Sequence, residues 1–417
     1  MTRESLVRAF VNCGRIATPR GSSPRGGREM GALFEVEDGV IVADEDGVIL
    51  EVGPRSKVKL PDGSDIVDAE GMLVVPGFVD PHTHAVFAGD RSFEVEHKVA
   101  GRSYLEIQQM GGGIHHTVEA TRKASVEELA SGAKRRLEEM LRQGTTTVEV
   151  KSGYGLDTHH EIKMLRAIEL LRSTAVQDVV PTFLAAHAVP KELTKVRDVY
   201  VQMVLGEMLP QVAHEGLAAF VDVWCDDGAF TADECRAILL TAQRAGLGLR
   251  LHADELGRAG GAALAADVHA ASADHLLKAT PEDFRALRDA GVVPVLAPAA
   301  PLVMFTHRWP DARALIADSV PFALASDFNP NCQVSSMQRV MGLAVYSMRT
   351  PPKAALTAAT LNAACSLGKG HTAGTIEEGK FADLAFIDAR SVDEFVTDLS
   401  RNRVHAVARK GQMHYNH

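Results

Sequence analysis

Two histidines one residue apart, His82 and His84, follow an apolar run in the segment LVVPGFVDPHTHAVF. Side chains at i and i+2 of a strand point to the same side. Both imidazoles can therefore reach one ion. Later apolar runs end in His252, His275 and Asp327. Imidazole nitrogen and carboxylate oxygen are ligands of zinc and of iron, and His82, His84, His252 and Asp327 offer three neutral donors and one anion. A lone histidine is more often a hydrogen-bonded packing residue. Four such residues at matching run ends are read together, as a site for one divalent metal, zinc or iron. The chemistry that follows is hydrolysis, because such an ion activates water and leaves no need for a side-chain nucleophile.

Residues so far apart in the chain need an architecture that gathers them. The middle of the sequence alternates short apolar runs with helical stretches. Candidate strands are VVPGFVDPHTH, TTTVEVKSG, VVPTFLAAH, AFVDVWCDD, LGLRLHADE, SADHL, VVPVLAP and PFALASDF. Between them, SVEELASGAKRRLEEMLRQG carries an N-cap at Ser125 and a stop at Gly144. THHEIKMLRAIELLRS, TADECRAILLTAQRAG and TPEDFRALRDAG follow the same logic. This alternation predicts a (β/α)8 barrel, whose strand C-termini meet at one rim. In order those ends carry His82 and His84, Lys151 with Tyr154, His187, Trp224-Cys225-Asp226, His252, His275, Pro298 and Asp327. A doubly wound open sheet is the competing layout, but it favours a Gly-rich loop after its first strand, where this chain has His-x-His.

Both ends of the chain read differently. LFEVEDGVIVADEDGVILEVGP alternates apolar residues around two Glu-Asp-Gly triplets, each a hairpin signal. TPRGSSPRGGREMG is expected to be a mobile loop. GTIEEGKFADLAFID and NRVHAVARKGQMHY return to the alternating style. The two ends are expected to pair into one small β domain from residues 1–74 and 370–417, around a barrel at 75–369.

Composition bounds the partners. The 417 residues are 46% hydrophobic, enough for a large core, and the net charge of −10 argues against nucleic acid or an anionic membrane surface. Apolar runs are too short and interrupted to span a bilayer, and MTRESLVRAFVNCGRIATPRG lacks the apolar centre of a signal peptide. Five scattered cysteines without a CxxC pair point to reduced thiols in the cytoplasm.

PGFVDPHTH followed by HADE and SDFNP resembles the amidohydrolase superfamily. Within it, FAGDRSFE, SYLEIQQMGGGI, EVKSGYGLD, FLAAHAVP and DFNPN together resemble the imidazolonepropionase family, over nearly all of the barrel. The resemblance implies a homodimer and an anionic small-molecule substrate, 4-imidazolone-5-propanoate, opened to N-formimidoyl-L-glutamate. It implies catalytic roles for Glu255, as proton shuttle, and for His275 and Asp327. Arg91, whose planar guanidinium suits a carboxylate, would bind substrate with Tyr104, Tyr154, His187, Glu255, Asn329, Asn331 and Cys332. Other readings of these residues are an Arg91 ion pair with Glu94 or Glu96, and a Glu255 ion pair with Arg258. Two-metal relatives carry a lysine at the fourth strand end, where this chain has Trp224-Cys225-Asp226, so one metal is expected and Lys151 is read as structural. Cys332 departs from the family pattern, and a thiol is a weak donor. Gly111-Gly112-Gly113 lacks the Lys-Ser/Thr of a phosphate loop and reads as a tight turn or rim element. An aromatic-base deaminase of the same superfamily is the nearest alternative. A non-enzymatic barrel relative is the alternative from another class.

Overall fold

A computed structural model describes residues 7–102 and 104–416, with the backbone alone at Tyr104, Leu105, Gln108, Tyr415 and Asn416. Two eight-stranded sheets organise it. The first holds β1 (Arg8–Thr18), β2 (Phe34–Ala43), β3 (Ile49–Pro54), β4 (Asp65–Asp68) and β5 (Leu73–Pro76) from the N-terminal side. The second holds β6 (Phe78–Asp80), β7 (Thr145–Lys151), β8 (Asp178–Ala186), β9 (Phe220–Cys225), β10 (Gly248–Ala253), β11 (Ser272–His275), β12 (Val293–Leu296) and β13 (Ala323–Leu324). The C-terminal side then returns β14 (Leu384–Ile387), β15 (Val404–Arg409) and β16 (Gln412–Asn416) to the first sheet. Its order is β16-β15-β14-β5-β1-β2-β3, with β4 beside β1. The composite sheet expected from the two ends is therefore formed.

In the second sheet, neighbours are consecutive and parallel from β6 to β13. Closure comes just past the strand ends. Thr83 bridges Phe328 in parallel, the His84 amide donates to the Phe328 carbonyl at 2.8 Å, and the Ser326 amide donates to Asp80 at 3.1 Å. This is the expected barrel. Its helices start as their sequences dictate: Val126–Arg142 has a full capping box between Ser125 and Glu128, and Thr231 and Thr280 cap Ala232–Arg244 and Pro281–Asp289 in the same way. No helix among the described residues is long and apolar enough to cross a membrane.

Three local expectations change. The run VVPGFVD is two strands rather than one. It breaks at Gly77, where β5 stays in the terminal sheet and β6 enters the barrel; a Cβ there would lie 2.3 Å from Thr146 Oγ1. The first Glu-Asp-Gly is no hairpin turn. It lies inside β2, where Asp38 takes φ +44 and Cys13 pairs with Gly39 across a bulge in the β1–β2 register. The Gly/Pro/Ser loop is tied down rather than mobile. The Arg25 amide donates to Asn362 Oδ1 at 2.7 Å, Asn362 Nδ2 returns a bond to the Arg25 carbonyl at 2.9 Å, and the Gly21 amide donates to Glu377 at 2.7 Å.

Beneath the rim the barrel holds a buried ionic layer. Lys151 Nζ donates to Glu149 and to Asp222, both at 2.7 Å. Arg250 lies 3.1 Å from Glu149 and donates to Asp274 at 3.2 Å and to the Pro81 carbonyl at 2.7 Å. All five charged side chains are within 1% of full burial. Burial opposes the charge on Lys151, but Asp222 and Glu149 overcome it and hold its pKa above the ordinary lysine value. Removing one partner of such a group leaves an uncompensated buried charge, which costs about 3–5 kcal/mol. Lys151→Met is therefore expected to lose about that much stability in urea titrations, and a loss below about 1 kcal/mol would contradict the assignment of Lys151 as the hub of this layer.

Candidate active site

His82 and His84 lie just beyond β6, in an extended segment that Arg250 grips at Pro81. Thr83, between them, turns its hydroxyl away to the Glu149 carbonyl at 2.6 Å. The two imidazoles consequently share the inner side, with centroids 5.3 Å apart. His252, on β10, stacks edge-on to His82 at 4.4 Å. His252 Nε2 is 3.3 Å from His84 Nε2, and Asp327 Oδ1 is 3.7 Å from His82 Nε2 and 3.8 Å from His84 Nε2. Two ligands on one tetrahedral ion at 2.0–2.1 Å would stand about 3.3 Å apart. The observed separations fit that spacing, and His82 Nε2 is buried with no hydrogen-bond partner. His187 and His275 also fall within grouping distance, as His84–His187–His252 and His82–His252–His275. Burial, followed by neighbouring positive charge, holds His82, His84 and His275 well below the ordinary imidazole pKa. Their lone pairs are available at neutral pH. Burial pushes the Asp327 carboxyl up to about 7.

Two of the imidazoles, those of His82 and His252, are met by carboxylates from below. His82 Nδ1 meets Asp274 Oδ2 at 2.6 Å, which turns Nε2 toward the cluster. His252 Nδ1 lies 3.0 Å from Asp222 Oδ2, and the His252 amide donates to Asp222 Oδ1 at 3.1 Å. Although burial opposes it, His252 and Lys151 hold Asp222 well below the ordinary carboxylate range. Sequence reasoning passed over Asp222, Asp274, Glu149 and Arg250. The signal was a charged residue inside an apolar strand, two before a rim residue in Glu149-Val150-Lys151, Asp222-Val223-Trp224 and Arg250-Leu251-His252.

A cavity of about 620 Å³, open to solvent, lies over this cluster. Its lining includes Arg91, Tyr154, His187, Trp224, Glu255, His275, Asn329, Asn331 and Cys332, alongside His84, His252 and Asp327. The side chain of Tyr104 lies outside the described residues. Apolar residues the sequence did not single out, Ile114, Leu256, Ala300, Val303 and Met304, complete the wall.

Arg91 is both a pocket residue and an ion-pair partner. Its Nε and Nη2 donate to the two Glu94 oxygens at 2.8 and 2.9 Å, and both residues are buried rather than on the surface. Glu94 also accepts the Gly113 amide at 2.7 Å, so the glycine loop folds onto this pair. Gly113 takes φ +71 and ψ −165, a conformation open essentially to glycine. His115 is buried in the helix Ile114–Lys123 that follows.

Buried carboxylates fix the other rim loops. Glu161 accepts the amides of Gly153, Gly155 and Leu156 at 2.7–3.0 Å, shaping the turn that carries Tyr154. There His187 Nδ1 lies 3.0 Å from the Gly153 carbonyl, and a Cβ at Gly153 would come within 2.9 Å of that nitrogen. Asp226 accepts the amides of Glu255, Leu256 and Gly257 at 2.7–2.8 Å. Glu255 Oε1 consequently sits 3.4 Å from His275 Nδ1, while Arg258 pairs with Asp283 instead. Burial, with Asp327 and Asp226 nearby, raises the Glu255 pKa well above the ordinary carboxylate value.

The strand before Asp327 is shorter than expected. β13 stops at Leu324, Ser326 turns to Asp80, and Asp327 takes φ +50. Asn329 Nδ2 donates to Asp327 Oδ1 at 3.0 Å, and Asn329 Oδ1 accepts the Asn331 and Cys332 amides at 2.8 and 3.0 Å. The Asn331 side chain accepts from Lys98 Nζ. Cys332 Sγ is buried 3.8 Å from the Ser326 carbonyl, and burial pushes its thiol pKa up, which keeps it un-ionised at neutral pH.

Solved structures share this fold. E. coli guanine deaminase superposes with a TM-score of 0.74 at 16% identity, covering 99% of this chain and 100% of that one. An adenosine deaminase from Xanthomonas campestris with bound zinc gives 0.71 at 20% identity, covering 99% and 93%. Sequence likeness is closer elsewhere. The imidazolonepropionase of Caldanaerobacter subterraneus subsp. tengcongensis is 44% identical over 400 residues, 95% of each chain. That of Geobacillus thermodenitrificans is 44% identical over 410 residues, 96% of each. That of Haloarcula marismortui is 45% identical over 385 residues, 91% of each. Residues 73–413 match the amidohydrolase family. On both the family match and near-full-length identity, this chain belongs to the amidohydrolase family and, within it, to the imidazolonepropionases.

Proposed function

We propose that this chain hydrolyses the ring C–N bond of 4-imidazolone-5-propanoate to give N-formimidoyl-L-glutamate, a step of histidine degradation. The observation that carries the reading is one cavity lined by His84, His252, Asp327 and a buried guanidinium, Arg91, with His82 grouped against His84 and Asp327 at its floor. An aromatic-base deaminase acts on a neutral ring and has no use for that guanidinium. The reading brings with it one zinc or iron per chain, a homodimer and a cytoplasmic location; five free cysteines suit the last. It also treats residues 75–369 as the catalytic domain and 1–74 with 370–417 as a supporting one.

His82, His84, His252 and Asp327 would hold the ion, which supplies Lewis-acid polarisation and an activated water at neutral pH. Arg91 takes the carboxylate arm, with hydroxyls from Tyr104 and Tyr154. His187 flanks the ring, and Asn329 and Asn331 hold the loop that limits its far edge. As the water oxygen bonds to the ring carbonyl carbon, Asp327 takes one of its protons and relays it to Glu255. The neutral His275 ring donates a hydrogen bond to the carbonyl oxygen as charge gathers there. Glu255, whose raised pKa suits it to carry a proton at neutral pH, then delivers it to the ring nitrogen as the C–N bond breaks. Cys332 stays protonated and takes no part as a nucleophile.

Freshly prepared 4-imidazolone-5-propanoate is expected to lose its ultraviolet absorbance in the presence of this protein, without ammonia release, and a chelator should stop the reaction. Glu255→Gln should lower kcat by about 10²–10⁴-fold with the metal retained. An inert wild-type protein with metal bound would sink the proposal, and a Glu255→Gln enzyme at wild-type kcat would remove the proton shuttle.

Metal affinity should depend on pH through Asp327. It must lose its proton to ligate, and its pKa is about 7. The ligands His82 and His84, held well below the ordinary imidazole range by burial, are already neutral there. Affinity should thus rise about tenfold per pH unit below about pH 7 and level off above it. Competition with a chromophoric chelator across that range checks the slope; a flat profile would exclude Asp327 as a ligand.

A further inference from the structure

The carboxylate end of the cavity has a charge deficit. Arg91 is paired in bidentate fashion with Glu94, at 2.8 and 2.9 Å. The pair is neutral as a unit, and the whole chain carries a formal charge of −10. An anionic substrate arm approaching Arg91 would meet the Glu94 carboxylate directly behind it. Another positive charge at this end would reverse that balance. Lys98, one turn beyond Glu94 on the short helix Glu94–Val99, is half-buried and reaches across to Asn331 Oδ1. Asn331 and Arg91 line the same cavity. The charged groups that act on Lys98 include Glu94 and Arg91 themselves. Burial and Arg91 lower its pKa, Glu94 raises it, and the net shift is downward. A lysine in such surroundings gains from an added anion.

We propose that Lys98, which stands outside the cavity lining and reaches it through Asn331, supplies a second positive charge to the carboxylate subsite, so that the substrate arm meets a net positive field. The inference rests on the reading above that the arm lies at Arg91. Asn331 then has a definite task, orienting an ammonium group.

The test separates charge from shape. Wild type, Lys98→Met, Lys98→Gln and Lys98→Arg are assayed with the substrate. Each is also inhibited competitively by a hydantoin ring carrying a propanoate arm and by the same ring carrying a propanamide arm. Lys98→Met and Lys98→Gln are expected to raise KM and the acid's inhibition constant about tenfold, the size of one charge-assisted hydrogen bond. They should leave kcat within about twofold and the amide's constant unchanged, and Lys98→Arg should restore acid binding. Equal weakening of acid and amide, or an unchanged acid constant in both neutral variants, overturns the proposal. A wild-type protein with no preference for acid over amide would instead defeat the placement of the carboxylate at Arg91.

Discussion

The contact between His82 Nδ1 and Asp274 Oδ2, 2.6 Å long and fully buried, decides how the rest of the site can work. A neutral imidazole has one N–H and one lone pair. By taking the N–H downward, Asp274 leaves the lone pair facing the cluster. Burial raises the Asp274 pKa, and Arg250 at 3.2 Å opposes that rise. Arg250 in turn reaches the Pro81 carbonyl and so fixes the segment that carries His82. At His252 a related contact forms: Asp222, paired with Lys151, lies 3.0 Å from Nδ1 and accepts the His252 amide. Orientation of the histidines and satisfaction of the buried charges are therefore one problem with one solution.

Above this ionic floor the rim is built by a second device. Carboxylates or amides accept neighbouring backbone N–H groups and freeze the loops: Glu161 beneath Tyr154, Asp226 beneath Glu255, and Asn329 beneath Asn331 and Cys332. Several rim residues sit at positive φ, among them Asp254, His275 and Asp327. Such conformations persist where surrounding bonds over-determine them. Here the Asp254 carboxylate accepts three amides, from Gly260, Gly261 and Ala262. The loops carrying Glu255 and His275 are thus held on both sides of the pocket.

Much of this was legible in the chain. The barrel followed from alternating runs and clear caps, because a capping box and a period are local properties. His82, His84, His252 and Asp327 were legible because strand ends converge in a barrel whatever the side-chain detail. What was illegible depends on partners far away in sequence. Asp274 and Asp222 look like interruptions of apolar strands until the opposite wall is known. The first Glu-Asp-Gly looks like a turn, and only pairing with β1 makes it a bulge. The Gly/Pro/Ser segment looks free, and only Asn362 and Glu377 show that it is tethered. Arg91 illustrates the limit of choosing between readings: pocket residue and ion-pair partner are both true of it.

Gly77 joins two sheets that are completed at opposite times. On one side of it, β6 begins the barrel. On the other, β5 pairs with β14, and Val74 packs in one apolar cluster with Phe10, Leu384 and Phe386. A chain emerging from the ribosome makes β1–β5 first, yet their missing neighbour is translated only after every barrel strand. Throughout synthesis the β5 edge stays open, with the slow closure that such distant pairing imposes. A nascent chain halted before Leu384 would carry that edge unprotected, and an unpaired edge invites strands from other molecules. The arrangement makes the segment from Leu384 onward the one that closes a sticky intermediate.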